Sequence, residues 1–228
     1  MRFTNIITAS AIFAMAHGAA VDKRALTGEA TYYGGNTSGG TCSFSTYTIP
    51  AGIFGTALSD SNWEASANCG TCVSVTGPKG ASGKTSTITA MVVDQCPGCG
   101  PNHLDLFPGG FSALANPTLG KIPIVWNYVD CPITSPISVR NKEGVSAWWF
   151  SMQVINANKK VASLDVSADG GKTWQQTVRQ PYNFFQKSSG TGTTVVDVRV
   201  TSASGDAIVI KSVPVAQGKG ATASRNFK

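Results

Sequence analysis

Two carboxylates in the N-terminal half are placed to do chemistry. Asp94 ends the apolar run Thr89-Ala-Met-Val-Val-Asp94, and Asp105 lies in His103-Leu-Asp105-Leu-Phe. Each sits beside apolar residues and next to a turn, where a carboxylate can be held in a groove. Two carboxylates flanking a sugar bond are the usual requirement of glycoside hydrolysis. A structural role competes for Asp94, which can brace the following loop through backbone N–H groups. His103 reads as a surface or packing residue.

The C-terminal half offers aromatic contacts. An aromatic side chain buries roughly 150–250 Å² when fully covered, so an exposed row of rings suits a flat partner surface with apolar faces. Trp148 and Trp149 are adjacent, and neighbours on a strand point to opposite faces. Trp148, Phe150, Met152 and Val154 form an apolar set that reads as the core face. Trp149, Ser151, Gln153 and Ile155 form a mixed set that reads as the outer face. Strand parity therefore exposes Trp149 and buries Trp148. Both can be exposed only if the strand begins after Trp148 or a bulge breaks the alternation. Trp174, beside Asp169-Gly170-Gly171, reads as core. Tyr182 follows Pro181 in a loop and reads as exposed.

These residues must be positioned by β-structure. Helical periodicity is weak, whereas β-rich runs recur at 72–76, 86–93, 122–129, 147–155, 161–166, 194–200 and 207–213, separated by Gly, Asn, Asp and Ser. The pattern indicates two all-β domains, with one short helix over 111–115 and a hairpin at Asp169-Gly170-Gly171. Cys131-Pro-Ile-Thr-Ser-Pro136 carries two prolines and marks the boundary. The short linker holds the domains against each other. Gly77-Pro-Lys-Gly-Ala-Ser-Gly83-Lys84-Thr85 resembles a phosphate-binding loop, but the first glycine would have to stand at position 78, which is Pro. It reads instead as a surface hairpin loop.

Length and composition set the context. The chain has 228 residues, enough for one large or two small domains. Arg2, the apolar run 6–16 and the small residues Gly18, Ala19 and Ala20 have the order of a secretory signal. The apolar run is too short to span a bilayer, and no later segment suggests a membrane anchor. Lys23 and Arg24 read as a processing site, so that the mature chain begins near Ala25. Six cysteines follow: Cys42, Cys69, Cys72, Cys96, Cys99 and Cys131. An even count behind a secretory signal favours disulfides over a zinc site, and six cysteines allow 15 pairings. Charge is uneven. Residues 25–131 carry three Lys/Arg and six Asp/Glu, net −3, and residues 132–228 carry twelve and five, net +7. A basic second half suits an acidic partner surface; secretion makes nucleic acid an unfitting one. Asn36-Thr37-Ser38 is a glycosylation acceptor pattern, and residues 218–228 read as a mobile tail.

An ordered series of segments is similar to the expansin family. Gly28-Glu-Ala-Thr31-Tyr32-Tyr33-Gly34 and Ser38-Gly39-Gly40 resemble its opening strand and loop. Val93-Asp94-Gln-Cys96-Pro and His103-Leu-Asp105-Leu resemble its two acidic segments, and Pro123-Ile-Val-Trp126 its closing barrel strand. Arg140-Asn-Lys142-Glu-Gly144, Trp148-Trp149, Pro181-Tyr182-Asn183-Phe-Phe and Gly190-Thr-Gly192 resemble its wall-binding module. The resemblance covers nearly the whole mature chain. It implies an all-β fold, a six-stranded double-psi β-barrel followed by an immunoglobulin-like β-sandwich. The divisions become 1–24 leader, 25–131 barrel, 132–136 linker and 137–228 carbohydrate-binding sandwich.

The resemblance also implies site residues. Thr31, Tyr33, Asp94 and Asp105 would line a polysaccharide groove, and Lys142, Trp148, Trp149 and Tyr182 a binding platform. Asp105 matches the catalytic acid of related endoglucanases, while 31–35 holds no carboxylate to serve as base. The match to Asp94 is assigned to hydrogen bonding in the groove. Two departures stand out: Cys96 where some relatives carry Tyr, and Tyr33 where some carry a smaller hydroxyl residue. By analogy the disulfides are Cys42–Cys69, Cys72–Cys131 and Cys96–Cys99. The implied function is non-hydrolytic loosening of cell walls by a secreted monomer that binds cellulose, other wall polysaccharides or an acidic matrix. No cofactor, metal, nucleic acid or membrane partner is expected. The rival readings are a glycan-cleaving enzyme on the same barrel, endoglucanase-like or lytic, and a purely carbohydrate-binding lectin.

Overall fold

The computed structural model describes residues 24–80 and 83–228. The leader expected over 1–24 falls outside them, apart from Arg24. Six strands close a barrel: β1 (Leu26–Tyr32), β2 (Phe54–Ser59), β3 (Cys72–Lys79), β4 (Thr85–Cys96), β5 (Leu104–Leu106) and β6 (Ile122–Val129), in the order β1-β5-β2-β4-β3-β6. Two short helices attach to it, α1 (Asp60–Trp63) and α2 (Pro108–Leu114). Pro108 opens α2, where its missing N–H costs nothing. Alternation is visible along β6, where Ile122, Ile124, Trp126 and Tyr128 point inward. They meet Leu58, Val73, Val75, Leu104, Leu106 and Phe111 in the barrel core. Closure leaves the barrel without a free sheet edge.

The second unit is a sandwich. One sheet has five strands, β7 (Ser138–Asn141), β8 (Phe150–Ile155), β11 (Val178–Arg179), β12 (Phe185–Lys187) and β15 (Gly220–Thr222). The other has four, β9 (Val161–Ser167), β10 (Gln175–Gln176), β13 (Val195–Ser202) and β14 (Ala207–Pro214). Ile137, Phe150, Met152, Leu164, Val198 and Val200 interdigitate between the sheets. β9 and β10 pair as antiparallel neighbours around Asp169-Gly170-Gly171, and β3 pairs with β4 across the loop that resembled a phosphate site. Disulfides join Cys42 to Cys69, Cys72 to Cys131 and Cys96 to Cys99.

Three expectations fail for identifiable reasons. The strand expected over 147–155 begins at Phe150. Residues 218–228 are not a loose tail: β15 pairs with β7, Phe227 is buried, and Arg225 pairs with Asp206. Small polar composition concealed a sheet edge there. Trp174 is not core. It is half-buried, with the Arg199 guanidinium 4.5 Å from its ring centroid, a cation–π contact that lets the ring stay at the surface.

Barrel and sandwich are clamped together. The outer face of the five-stranded sheet, which the alternation assigned to solvent, is covered by the barrel loop 42–46. Gln153 is fully buried, and its Nε2 donates to the Cys42 carbonyl. Asn183 Nδ2 donates to the same carbonyl. Arg140 donates to Gln153 Oε1, the Ser43 carbonyl and the Thr46 hydroxyl. Tyr47 donates to Asn156 Oδ1, and Ser66 to the Gln180 carbonyl.

Candidate functional site

Strand register sets the first half of the site. Thr31 on β1 pairs with Asp105 on β5, Asp105 with Ala57 on β2, and Ala57 with Asp94 on β4. Residues paired across neighbouring strands share a face. Thr31, Asp105, Ala57 and Asp94 therefore form one row over four strands. The register shifts by one residue between Thr56 and Ala57, so Val93 is extra and Asp94 is re-aimed into the row, a usual effect of a bulge. Ala57 is a buried, bare methyl between the two acids.

The row is hydrogen-bonded directionally. Thr31 Oγ1 donates to Asp105 Oδ1 at 2.5 Å and lies 2.9 Å from His103 Nε2. A hydroxyl has one proton. With that proton given to Asp105, Thr31 accepts from His103, which fixes the imidazole with hydrogen on Nε2. His103 is buried, and burial pulls its pKa below the usual value against the opposing charges of Asp105 and Glu29. It holds the Thr31 hydroxyl that donates to Asp105, where the sequence alone suggests only a surface or packing residue.

Asp94 is more heavily committed. Its Oδ1 accepts from the backbone N–H of Thr41 (2.6 Å) and Gln95 (2.8 Å), and its Oδ2 from the Tyr33 hydroxyl (3.2 Å). The bracing role and the place in the row coexist in one side chain. Tyr33 reaches from the end of β1 to Asp94 on β4. Burial first, and then the Asp94 charge, push its phenol well above its ordinary pKa, so it remains a proton donor. Its ring meets Phe107 edge-on with centroids 5.7 Å apart. Phe107 can lie there because Gly35 and Gly55 lack side chains. A Cβ on them would come within 2.5 Å and 2.4 Å of its ring. Phe107 and Ala57 are site residues that carried no signal in the sequence, because neither has reactive chemistry.

The second half of the site lies on the sandwich, where parity inverted the two tryptophans. Trp148 is 77% exposed, and Trp149 is half-buried against the sandwich core. Both precede β8. Ser146 and Trp149 exchange backbone hydrogen bonds (2.9 and 3.3 Å), turning the chain so that Trp148 stands at the tip. The tip is fastened from behind: Thr191 and Gly192 both donate to the Ala147 carbonyl (2.9 and 2.8 Å). Tyr182 is half-buried, and its hydroxyl donates to Gln186 Oε1 at 3.0 Å. Its ring lies 6.0 Å from that of Phe184. Lys142 pairs with Glu143, and its ammonium lies 5.8 Å from the Phe184 ring centroid. Phe184, unselected from the sequence, links Tyr182 to Lys142. An open cleft of about 700 Å³, lined by 38–40, Arg140, Lys142 and Phe184, runs where barrel and sandwich meet.

Among the described residues no cluster of three His, Cys, Asp or Glu is placed to hold a metal, and no helix is long and apolar enough to cross a membrane. No family model matches the chain. It is 36% identical over 185 residues to Expansin-YoaJ of Bacillus subtilis, spanning 79% of this chain and 75% of that protein. Expansin-like protein 5 of Dictyostelium discoideum is 28% identical over 198 residues, spanning 83% and 80%. Among solved structures, apo Clavibacter michiganensis expansin superposes with a TM-score of 0.78 at 33% identity, over 90% of this chain and 98% of that one. A point mutant of the same bacterial expansin, in complex with cellohexaose, superposes with a TM-score of 0.79 at 32% identity over the same shares.

Proposed function

This chain belongs to the expansin family, and we propose that it binds cellulose-type glucans and loosens cell walls without cleaving them. The observation that carries the proposal is the contrast between two acids in one row. Asp105 has a Thr31 proton on one oxygen and can accept from a sugar hydroxyl with the other. Asp94 is held by two backbone amides and a tyrosine. A base for hydrolysis must accept a proton from water, and Asp94 is built to hold a loop and a phenol. The groove then grips a glucan strand while Trp148, Tyr182 and Lys142 engage its neighbours on a flat surface. Binding in this way competes with the weak lateral contacts between strands.

The cellohexaose complex of the bacterial relative supports a cellulose-type ligand. Secretion as a monomer, with a barrel over 25–131 and a binding sandwich over 137–228, belongs to the same proposal. So does an auxiliary attraction of the +7 half for an acidic matrix. The test is weakening of cellulose paper under load, with reducing ends assayed in the supernatant. Weakening without sugar release is expected; steady release that disappears in Asp105→Asn would overturn the reading.

One observation favours hydrolysis as the second reading. Asp94 and Asp105 stand two strand spacings apart, about 9–10 Å, near the roughly 6.5–9.5 Å separation of inverting acid and base pairs. On that reading Asp94→Asn abolishes sugar release as fully as Asp105→Asn does.

A further inference from the structure

Asn36-Thr37-Ser38 has the N-linked acceptor pattern, and the groove makes no use of it. Asn36 is exposed on the loop after β1. Its Oδ1 accepts from the Ser38 N–H at 2.8 Å, and Thr37 Oγ1 donates to the Tyr47 carbonyl at 3.0 Å. The backbone of the triplet is therefore held, while Asn36 Nδ2 has no hydrogen-bond partner among the described residues. Asn36 also lines a hollow of about 510 Å³, walled by Tyr47, Ile49, Phe54, Phe107 and Pro108. Phe107 is the shared wall, since its ring edge also meets Tyr33 of the groove. The hollow is mainly apolar, with Thr37 and Thr48 beside Asn36 at its edge, open to solvent and separate from the row.

We propose that Asn36 carries an N-linked glycan whose first N-acetylglucosamine residues lie over this hollow. The donor class is an oligosaccharide on a lipid diphosphate. Asn36 Nδ2 bonds to the anomeric carbon as the bond from that carbon to the diphosphate oxygen breaks. The amide proton passes to the transferring enzyme, and the lipid diphosphate leaves. Sugar faces match aromatic rings, and tethering at the rim gives the first sugars a local concentration of order millimolar. A free sugar lacks that tether, and the hollow offers it no charged anchor. The occupant is thus the chain's own glycan, which covers the apolar wall and leaves the row from Thr31 to Asp94 open. The proposal rests on the secretion proposed above, because transfer takes place in the secretory pathway.

The test uses protein purified from the medium of its native producer, digested and mapped by mass spectrometry. The Asn36 peptide should carry a hexosamine-containing mass that enzymatic release removes, leaving Asp at position 36. The mass should persist in Ser38→Thr and be lost in Ser38→Ala and in Asn36→Gln. A secreted chain with an unmodified Asn36 peptide overturns the glycan and leaves the function standing. A chain retained in the cell overturns both the secretion reading and the glycan. Enzymatic deglycosylation of the folded protein should increase binding of an apolar fluorescent dye; an unchanged signal overturns the placement of the sugars over the hollow.

Discussion

The Thr31 hydroxyl lies 2.5 Å from Asp105 Oδ1, and the two residues are register partners on the parallel strands β1 and β5. The contact is built by the barrel's strand order rather than by any local sequence feature. Thr31→Val removes a donor to the acid and an acceptor for His103 while conserving shape. A hydrogen bond to a charged group contributes about 1.5–3 kcal/mol. Paper weakening per molecule should fall by roughly tenfold or more, with sugar release unchanged at background. An undiminished effect in both Thr31→Val and Asp105→Asn would remove the row from the mechanism.

Trp148 and Trp149 separate binding from stability. Trp148 is 77% exposed, so its loss should change stability by no more than about 0.5 kcal/mol. Its loss should also release the protein from crystalline cellulose. Trp149 packs on the sandwich core, and truncating a packed aromatic costs up to about 3–5 kcal/mol. Thermal melts and pull-down on insoluble cellulose should show Trp148→Ala as weakly bound but stable, and Trp149→Ala as destabilised. The reverse assignment would mean that the turn does not present Trp148.

That turn depends on a glycine. Gly190 has φ +67°, and a Cβ there would lie 2.1 Å from the Ala147 carbonyl oxygen and 2.4 Å from the Trp148 carbonyl carbon. Backbone, not a flexible side chain, would have to move. Gly190→Ala should displace the loop that fastens Ala147, and cellulose affinity should drop with both tryptophans intact. Intrinsic fluorescence of the free protein should shift as Trp148 changes its surroundings. Unaltered affinity in a folded Gly190→Ala protein would show that the fastening is dispensable.

The order of these elements explains what the sequence could and could not disclose. Long alternating runs such as 122–129 were legible because one face is buried and the other is not. Asp94 and Asp105 were legible as chemistry. Their placement in one row was not, because it follows from β5 pairing with both β1 and β2 across long sequence separations. Gln153 misled because its polar side chain is satisfied by another domain's backbone. Burial and polarity are compatible wherever partners exist, so periodicity assigned it to solvent. Trp148 and Trp149 misled because parity holds only inside a strand, and they precede one.

Arg140 ties the two halves of the site. Its side chain serves Gln153 on its own sheet and the Ser43 carbonyl, Ser45 and Thr46 on the barrel loop. Arg140→Ala leaves the buried Gln153 Oε1 without that donor, at a cost of about 1–3 kcal/mol. Because the lost contacts bridge the units, the barrel and the sandwich should unfold at separate temperatures in calorimetry. A single transition shifted only downward would place the coupling elsewhere, in contacts such as Tyr47 with Asn156.

Acid should release the C-terminal segment first. Asp206 receives hydrogen bonds from both terminal nitrogens of Arg225 and from the Lys228 backbone N–H. These hold its carboxyl down at about 2, with the Arg225 bonds the largest cause. In the unfolded chain the group titrates near 3.9. A carboxyl whose pKa is depressed on folding contributes stability above its unfolded value and loses it as pH falls towards the folded one. The window is therefore about pH 4 down to pH 2. The pair is partly solvated, with side chains 38% and 22% exposed, so the contribution stays within about 1 kcal/mol. Melting temperature followed through this window should fall less steeply in Asp206→Asn than in the parent. Hydrogen exchange at Phe227 should rise in the parent over the same range. Parallel slopes in the two proteins would mean that this carboxylate does not hold the segment that β15 pairs onto the sheet.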